Sequence, residues 1–392
     1  MRHITNAIAL MLLIVIVGSA QGTASAHRAR AFVTTSPTDS VTYQSTISHD
    51  GHVVDPTITL PLVQRWTVSL THPSYPIIAQ GLVIVTSYDA TTGSSSHLSA
   101  FDSSMGTEVW SDDISGRYGW AAATYDNGFV FVVNFDGVLR AVNAADGTTL
   151  WVVQLPGQYA FSAAPNADSG VVYLAGSGIG GTLYAVDETN GDVLWTRSVE
   201  NGDDSSPALS DNSVFVSYAC SYSYGFARVS GAPIWQTSGS CVGGGGSTAP
   251  YSRGRVYVRN GESAGGGGLV LGAGFGREWG TFSSSTLPAF AHGMGLFLHS
   301  GSLLGKTLPD LTTAWSFDGP RDLSTPPLVV NGWVFVGSRS GRVYGRRATS
   351  GHGVWHADIG ARISASPTTG LGAGGGLLVV PAADRLVAFG SA

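Results

Sequence analysis

Apolar and polar residues alternate along this chain in short runs, each entered through a glycine or asparagine turn. Gly81-Leu82-Val83-Ile84-Val85, Gly128-Phe129-Val130-Phe131-Val132, Gly170-Val171-Val172-Tyr173-Leu174 and Gly332-Trp333-Val334-Phe335-Val336 show the pattern. β-Branched and aromatic residues at a period of two predict strands rather than helices. Ahead of each run stands a stretch of small residues, often with proline, such as Ser205-Ser206-Pro207-Ala208 or Ala365-Ser366-Pro367. Behind it comes a third strand, as in Leu98-Ser99-Ala100-Phe101 or Leu139-Arg140-Ala141-Val142, and then a fourth that carries a tryptophan. The predicted unit is four antiparallel strands joined by tight turns and repeated along the chain.

The fourth strands set the period. Trp66, Trp110, Trp151, Trp195, Trp235, Trp279, Trp315 and Trp355 follow one another at 44, 41, 44, 40, 44, 36 and 40 residues, and only Trp120 and Trp333 fall outside the series. A repeat of this length filled with short strands predicts a β-propeller. After Trp355 come three strands without a fourth, near 363–368, 377–381 and 385–389. Before the first full unit, Gln64–Leu70 stands alone as a fourth strand at the wrong end of the chain. Joined, the two fragments complete an eighth blade and remove an open sheet edge. The expected fold is an all-β, eight-bladed propeller over residues 62–392, closed by the N-terminal strand around Trp66, with seven blades as the alternative. Residues 27–61, rich in Ser, Thr and His without a period, read as a flexible lead segment.

The turn between the third and fourth strands repeats most closely. Asp102 and Gly106, Asn143 and Gly147, and Asp187 and Gly191 stand at matching places, with Gly231 and Gly351 in weaker copies. In these five turns Gly precedes Trp by four residues. Asp or Asn starts such a turn by bonding nearby backbone, and Gly supplies a positive φ. This A-x-D-x-x-T-G-x-x-x-W-like pattern resembles the repeat of pyrroloquinoline-quinone (PQQ)-type β-propellers, from Gln64 to Phe389. The resemblance implies that each Trp sits on an outer strand between neighbouring blades. It also implies two kinds of function, PQQ-dependent dehydrogenation or scaffolding of the sort performed by the propeller lipoprotein of bacterial outer-membrane assembly. Enzymes of the first kind carry adjacent cysteines against the quinone and long insertions around it. Here Cys220 and Cys241 are 21 residues apart, and every unit is a bare 36 to 44 residues.

Residues that could carry chemistry read better as structure. Asp102, Asn143 and Asp187 recur at one turn, and Asp112-Asp113 and Asp203-Asp204 follow Trp strands as solvated turn acids. His352, His356 and Asp358 flank Trp355 in a strand, with no third histidine nearby to complete a zinc site. Gly176 to Gly181 matches G-x-G-x-x-G, yet a strand follows where a dinucleotide site needs a helix. No catalytic, cofactor-binding or metal residue is expected.

Charge and termini narrow the setting. Charged residues are 12% of the chain and the formal charge is −6, with no basic patch, which excludes nucleic acid as a partner. Arg2, the apolar stretch Ala7–Gly18 and Ala24-Ser25-Ala26 predict a signal peptide over residues 1–26. Twelve apolar residues fall short of the roughly 20 a membrane span needs. An exported protein, secreted or at the envelope exterior, is expected, N-terminal anchoring being the alternative. In that setting Cys220 and Cys241 are expected to form a disulfide, with two buried thiols as the other possibility. The reading is a non-catalytic monomer that binds a protein or cell-envelope partner and carries no quinone. A PQQ-dependent oxidoreductase is the alternative.

Overall fold

The computed structural model describes residues 35–88, 95–178, 180–218, 222–238, 246–259, 267–363 and 369–392. Cys220, Cys241 and the expected signal segment lie outside these residues. The strands pair into eight antiparallel sheets, the blades of a propeller. From blade 1 to blade 8 the inner strands are Ile77–Ala79, Ala121–Asp126, Asn166–Asp168, Ala208–Leu209, Tyr251–Ser252, Ala289–Ala291, Leu328–Val330 and Gly372–Gly374. The outer strands of blades 1 to 7 are Glu108–Ser115, Thr149–Gln154, Val193–Val199, Pro233–Thr237, Glu278–Ser283, Thr313–Phe317 and Gly353–Asp358. Blade 8 takes its outer strand from the other end of the chain: Leu62–Ser69 pairs with Arg385–Ser391, setting Trp66 opposite Ala388. The blade count is therefore eight, and the orphan strand closes the ring.

Alternation along the middle strands sends one side chain of each pair into each blade-to-blade junction. Phe131, Val133 and Leu139 of blade 2 meet Val172, Leu174 and Tyr184 of blade 3, all of them buried. The same layering repeats around the ring, so the core is a set of apolar seams rather than one central mass.

All seams but the one between blades 5 and 6 are locked by an indole that crosses them. The Nε1–H of Trp66 donates to the Ser103 carbonyl in blade 1, that of Trp110 to Ala144 in blade 2, and that of Trp151 to Glu188 in blade 3. Trp195, Trp235 and Trp315 reach Arg228, Ala273 and Ala348 in the same way. The ring face lies on the turn glycine of the blade it enters. A Cβ on Gly106 would stand 2.7 Å from the Trp66 ring, and one on Gly147 2.8 Å from Trp110. Gly191, Gly231, Gly276 and Gly351 take Trp151, Trp195, Trp235 and Trp315 equally closely. These glycines also hold φ between 62° and 80°, so turn geometry and indole contact both require the missing side chain. At the closing seam Trp355 donates to the Leu62 carbonyl of the N-terminal strand.

Trp279 is the exception, and it corrects the tryptophan series. In the other blades the Trp pairs across the sheet and the residue before it forms a bulge; Trp110 faces Ala100 while Val109 bulges. In blade 5 Gly280 faces Val270, and Trp279 falls on the bulge. The periodic Trp position is thus Gly280, and Trp279 is 64% exposed where its seven counterparts are buried or half-buried. Blade 6 answers the missing indole. Where the other turns have glycine it has Leu311, held at φ 58° and packed on the cluster of Tyr257, Phe282, Phe290 and Phe297. A large-to-small change in one blade is matched by a small-to-large change in the next.

The lead segment also departs from expectation. Residues 35–61 are not loose; they form a strap that visits the inner strands of the eight blades in order. The amides of Ile78, Tyr125, Leu209, Tyr251, Phe290 and Val329 donate to the carbonyls of Ser40, Val41, Ile47, Ser48, Asp50 and Gly51. In blade 3 Asn166 Nδ2 reaches the Ile47 carbonyl, and in blade 8 Gly376 N reaches the Asp55 carboxylate. His52–Val53 even pairs as a short parallel strand with Leu328–Val330. The physical reason is the free inner edge of every blade, whose backbone groups need partners. Main-chain carbonyls supply them, so the segment needs no hydrophobic period.

The seams give a direct test. Gly147→Ala places a methyl against Trp110, whereas Gly170→Ala, at φ 86° with nothing within 4 Å, meets only the backbone cost. Urea unfolding is expected to show a loss of about 2–3 kcal/mol for the first and about 1 kcal/mol for the second. Equal losses would mean that the indole contact contributes nothing beyond turn geometry.

Candidate functional site

The strap gathers polar groups at the mouth of the ring where inner strands turn into their neighbours. His49 is fully buried there. Its Nδ1 donates to the Tyr43 carbonyl at 2.6 Å, while Nε2 faces the Ser206 hydroxyl at 3.0 Å and the Pro207 carbonyl at 3.1 Å. Burial outweighs the pull of the two carbonyls and lowers its pKa to about 4, so the imidazole is neutral and pins the strap to blade 4.

Beside it lies a cavity of about 310 Å³ lined by Ile47, Asp50, His52, Asp211, Tyr251 and Arg253, among others. Asp50 accepts from the Thr46 hydroxyl at 2.8 Å, and burial raises its pKa. The His52 ring meets His292 edge-on at 5.6 Å. Burial lowers the His52 pKa, Asp50 opposes this, and His292 and Arg253 add to it. Two carboxylates, an imidazole and a guanidinium around a small cavity can hydrogen-bond a polar group. Among the described residues, no cluster of His, Cys, Asp and Glu is arranged to hold a metal ion.

A second polar group sits where blades 2 and 3 meet. Glu188 is buried against Asp126, and the two carboxyls share a hydrogen bond. Burial first, then the charges of Asp126, Asp168 and Asp187, push Glu188 up to about 9, so it carries the shared proton. Asp126 also accepts from the Thr35 hydroxyl at 2.8 Å, and Arg228 pairs with Asp168 at 2.6 Å. Sequence reasoning missed this pair. Its one local signal is an acid at position 188, in a turn already opened by Asp187.

The residues singled out from the sequence fall in turns and strands. Asp102 Oδ1 accepts from the amides of Ser104 and Met105, Asn143 Oδ1 from Ala145, and Asp187 Oδ1 from Thr189. Asp112 and Asp113 pair with Arg140 and His97, and Asp204 N donates to Ser162. His356 lies opposite Tyr344 on the outer strand of blade 7, and Arg342 grips Asp358 through two bonds of 2.6 and 2.9 Å. Gly176 and Gly178 belong to a strand paired with Gly180–Asp187, not to a phosphate-binding turn. None of these residues reaches the mouth cavity.

The family described as outer membrane protein assembly factor BamB matches residues 63–230 and 301–392. The unmatched stretch between them holds the slipped Trp279. No curated protein matches the sequence significantly. Among solved structures, quinohemoprotein alcohol dehydrogenase from Comamonas testosteroni superposes with a TM-score of 0.71 at 14% identity, over 90% of this chain and 80% of that one. BamB from Moraxella catarrhalis gives 0.65 at 17% identity, over 84% and 100%. The computationally designed Ika8 protein gives 0.64 at 15%, again over 84% and 100%. An enzyme, an assembly factor and a designed chain thus share the ring, so the likeness is one of fold and does not choose between functions.

Two buried groups set opposite pH slopes on stability. His49 has a lowered folded pKa, so the folded state binds fewer protons between about pH 6.5 and 4, and stability is lost as pH falls through that window. The loss is on the order of 3 kcal/mol and should vanish in His49→Gln. Glu188 has a raised pKa, so the folded state holds an extra proton between about 4.5 and 9, and stability declines as pH rises there. Melting curves of Glu188→Gln should lack that decline; an unchanged alkaline slope would refute the shared proton.

Proposed function

Since the chain belongs to the family described as outer membrane protein assembly factor BamB, we propose that it is an exported, non-catalytic propeller that holds a protein partner of the cell envelope. The observation that carries this reading is the strap. Ile47, His49 and Gly51 fill the inner side of the mouth, and inner-strand amides are committed to strap carbonyls. The packing is tight: a Cβ on Gly51 would stand 3.0 Å from Ala289 and 3.1 Å from the Pro327 carbonyl. A planar quinone is a poor fit to such a mouth. Residues 1–26 act as the export signal in this proposal, and Cys220 and Cys241 form its disulfide. No helix among the described residues is long and apolar enough to cross a membrane.

Crosslinking in the native envelope should capture the same protein in repeated preparations; a clean monomer would defeat the scaffold reading. Purified protein mixed with PQQ and calcium should gain no quinone absorbance and reduce no dye with alcohols or sugars. A gain of both would favour the dehydrogenase instead. Mass spectrometry without reduction should find Cys220 and Cys241 in one linked peptide, and two alkylatable thiols would refute the bridge.

A further inference from the structure

The junction of blades 5 and 6 leaves an aromatic ring and the Arg253 guanidinium exposed, with Arg255 half-buried beside them. Trp279, shifted onto the bulge, is 64% exposed, and its indole bonds to no carbonyl among the described residues. The Arg255 guanidinium lies 5.0 Å from the indole centroid and donates to the Pro309 carbonyl at 3.3 Å. Next to this pair opens a cavity of about 200 Å³ lined by Ser252, Arg253, Arg255, Tyr257, Leu308 and Pro309. Phe275, on the turn that precedes Trp279, is 91% exposed.

Charge tells what the groove lacks. Arg117, Arg140, Arg228, Arg342 and Arg385 each pair with an aspartate, in a chain whose formal charge is −6. Arg253 and Arg255 make no ion pair among the described residues, and no carboxylate lines the cavity they share, although Arg253 also borders the mouth cavity that Asp50 and Asp211 line. Asp310, next to Pro309, is already engaged by the hydroxyls of Thr307 and Thr312. Two unpaired guanidinium groups, an apolar cleft and an exposed Trp form a site complementary to a carboxylate beside an apolar side chain.

We propose that this groove docks an acidic peptide segment of a partner protein, with a leucine or aromatic side chain between Tyr257, Leu308 and Pro309 and a neighbouring carboxylate on Arg253 and Arg255. Trp279 covers the docked backbone on the rim. The inference rests on the scaffold reading and names the face that performs it.

The probe is a displayed library of 12-residue peptides, selected on the full mature chain. The expected consensus places Asp or Glu beside Leu, Phe or Trp. Binding of a selected synthetic peptide should weaken at least tenfold in both Trp279→Ala and Arg255→Gln, and should weaken further with added salt. Circular dichroism would verify that both surface variants remain folded. A basic or purely apolar consensus, or affinity unchanged in both variants, would overturn the proposal. Sedimentation showing a dimer that Trp279→Ala dissolves would also overturn it, by assigning the groove to a second copy of the chain. Envelope crosslinking separates the two levels of argument. If Trp279→Ala still captures the wild-type partner, the groove is wrong and the scaffold reading stands; if the wild type captures nothing, the scaffold reading itself fails.

Discussion

The ring depends on one contact made over and over: an indole that crosses from the outer strand of one blade to the third turn of the next. Ring face and N–H act together, the face on a glycine and the N–H on a carbonyl a few residues away. The turn must therefore deliver a residue without a side chain at a fixed distance from the following Trp. That requirement explains why Gly106, Gly147, Gly191, Gly231 and Gly351 stand four residues before a tryptophan. It also explains why the closing blade can be split between the chain ends. Trp66 and Trp355 each donate an indole N–H to a carbonyl across the seams on either side of it, so both keep the hydrogen bond found within continuous chain, the Trp355 ring meeting Phe389.

One junction abandons the contact and shows that the ring tolerates a substitute. With Gly280 in the Trp position, Leu311 and a group of four aromatic rings fill the seam between blades 5 and 6. The displaced Trp279 no longer serves the fold and is open to other use. The part of the chain that has drifted from the family pattern, residues 231–300, is the part where this exchange occurs.

Much of the architecture is legible in the sequence because it is repeated. Gly128 before Phe129–Val132 announces a hairpin strand, and the solitary strand around Trp66 announces closure. The strap is not legible, because its hold on the ring comes from main-chain carbonyls, which Ser40, Val41, Ile47 and Gly51 supply regardless of side chain. The slip at Trp279 leaves a trace that is easily passed over: Gly276 precedes Trp279 by three residues instead of four. The Asp126–Glu188 pair joins residues 62 positions apart and has no local signature at all. Periodic features rest on local geometry and can be read; the mouth of the ring rests on distant segments that meet only once the ring is closed.

The strap also orders events in time. Ser40 and Val41 bind blades 1 and 2, but Gly51 needs blade 7 and Asp55 needs blade 8, whose strands end at Ser391. A chain emerging from a ribosome or a translocation pore exposes these N-terminal residues first and can place them last. Contacts between residues separated by most of the chain are slow to form, because loop closure must precede them. These early residues thus wait for the final strand before the strap can finish its path around the ring.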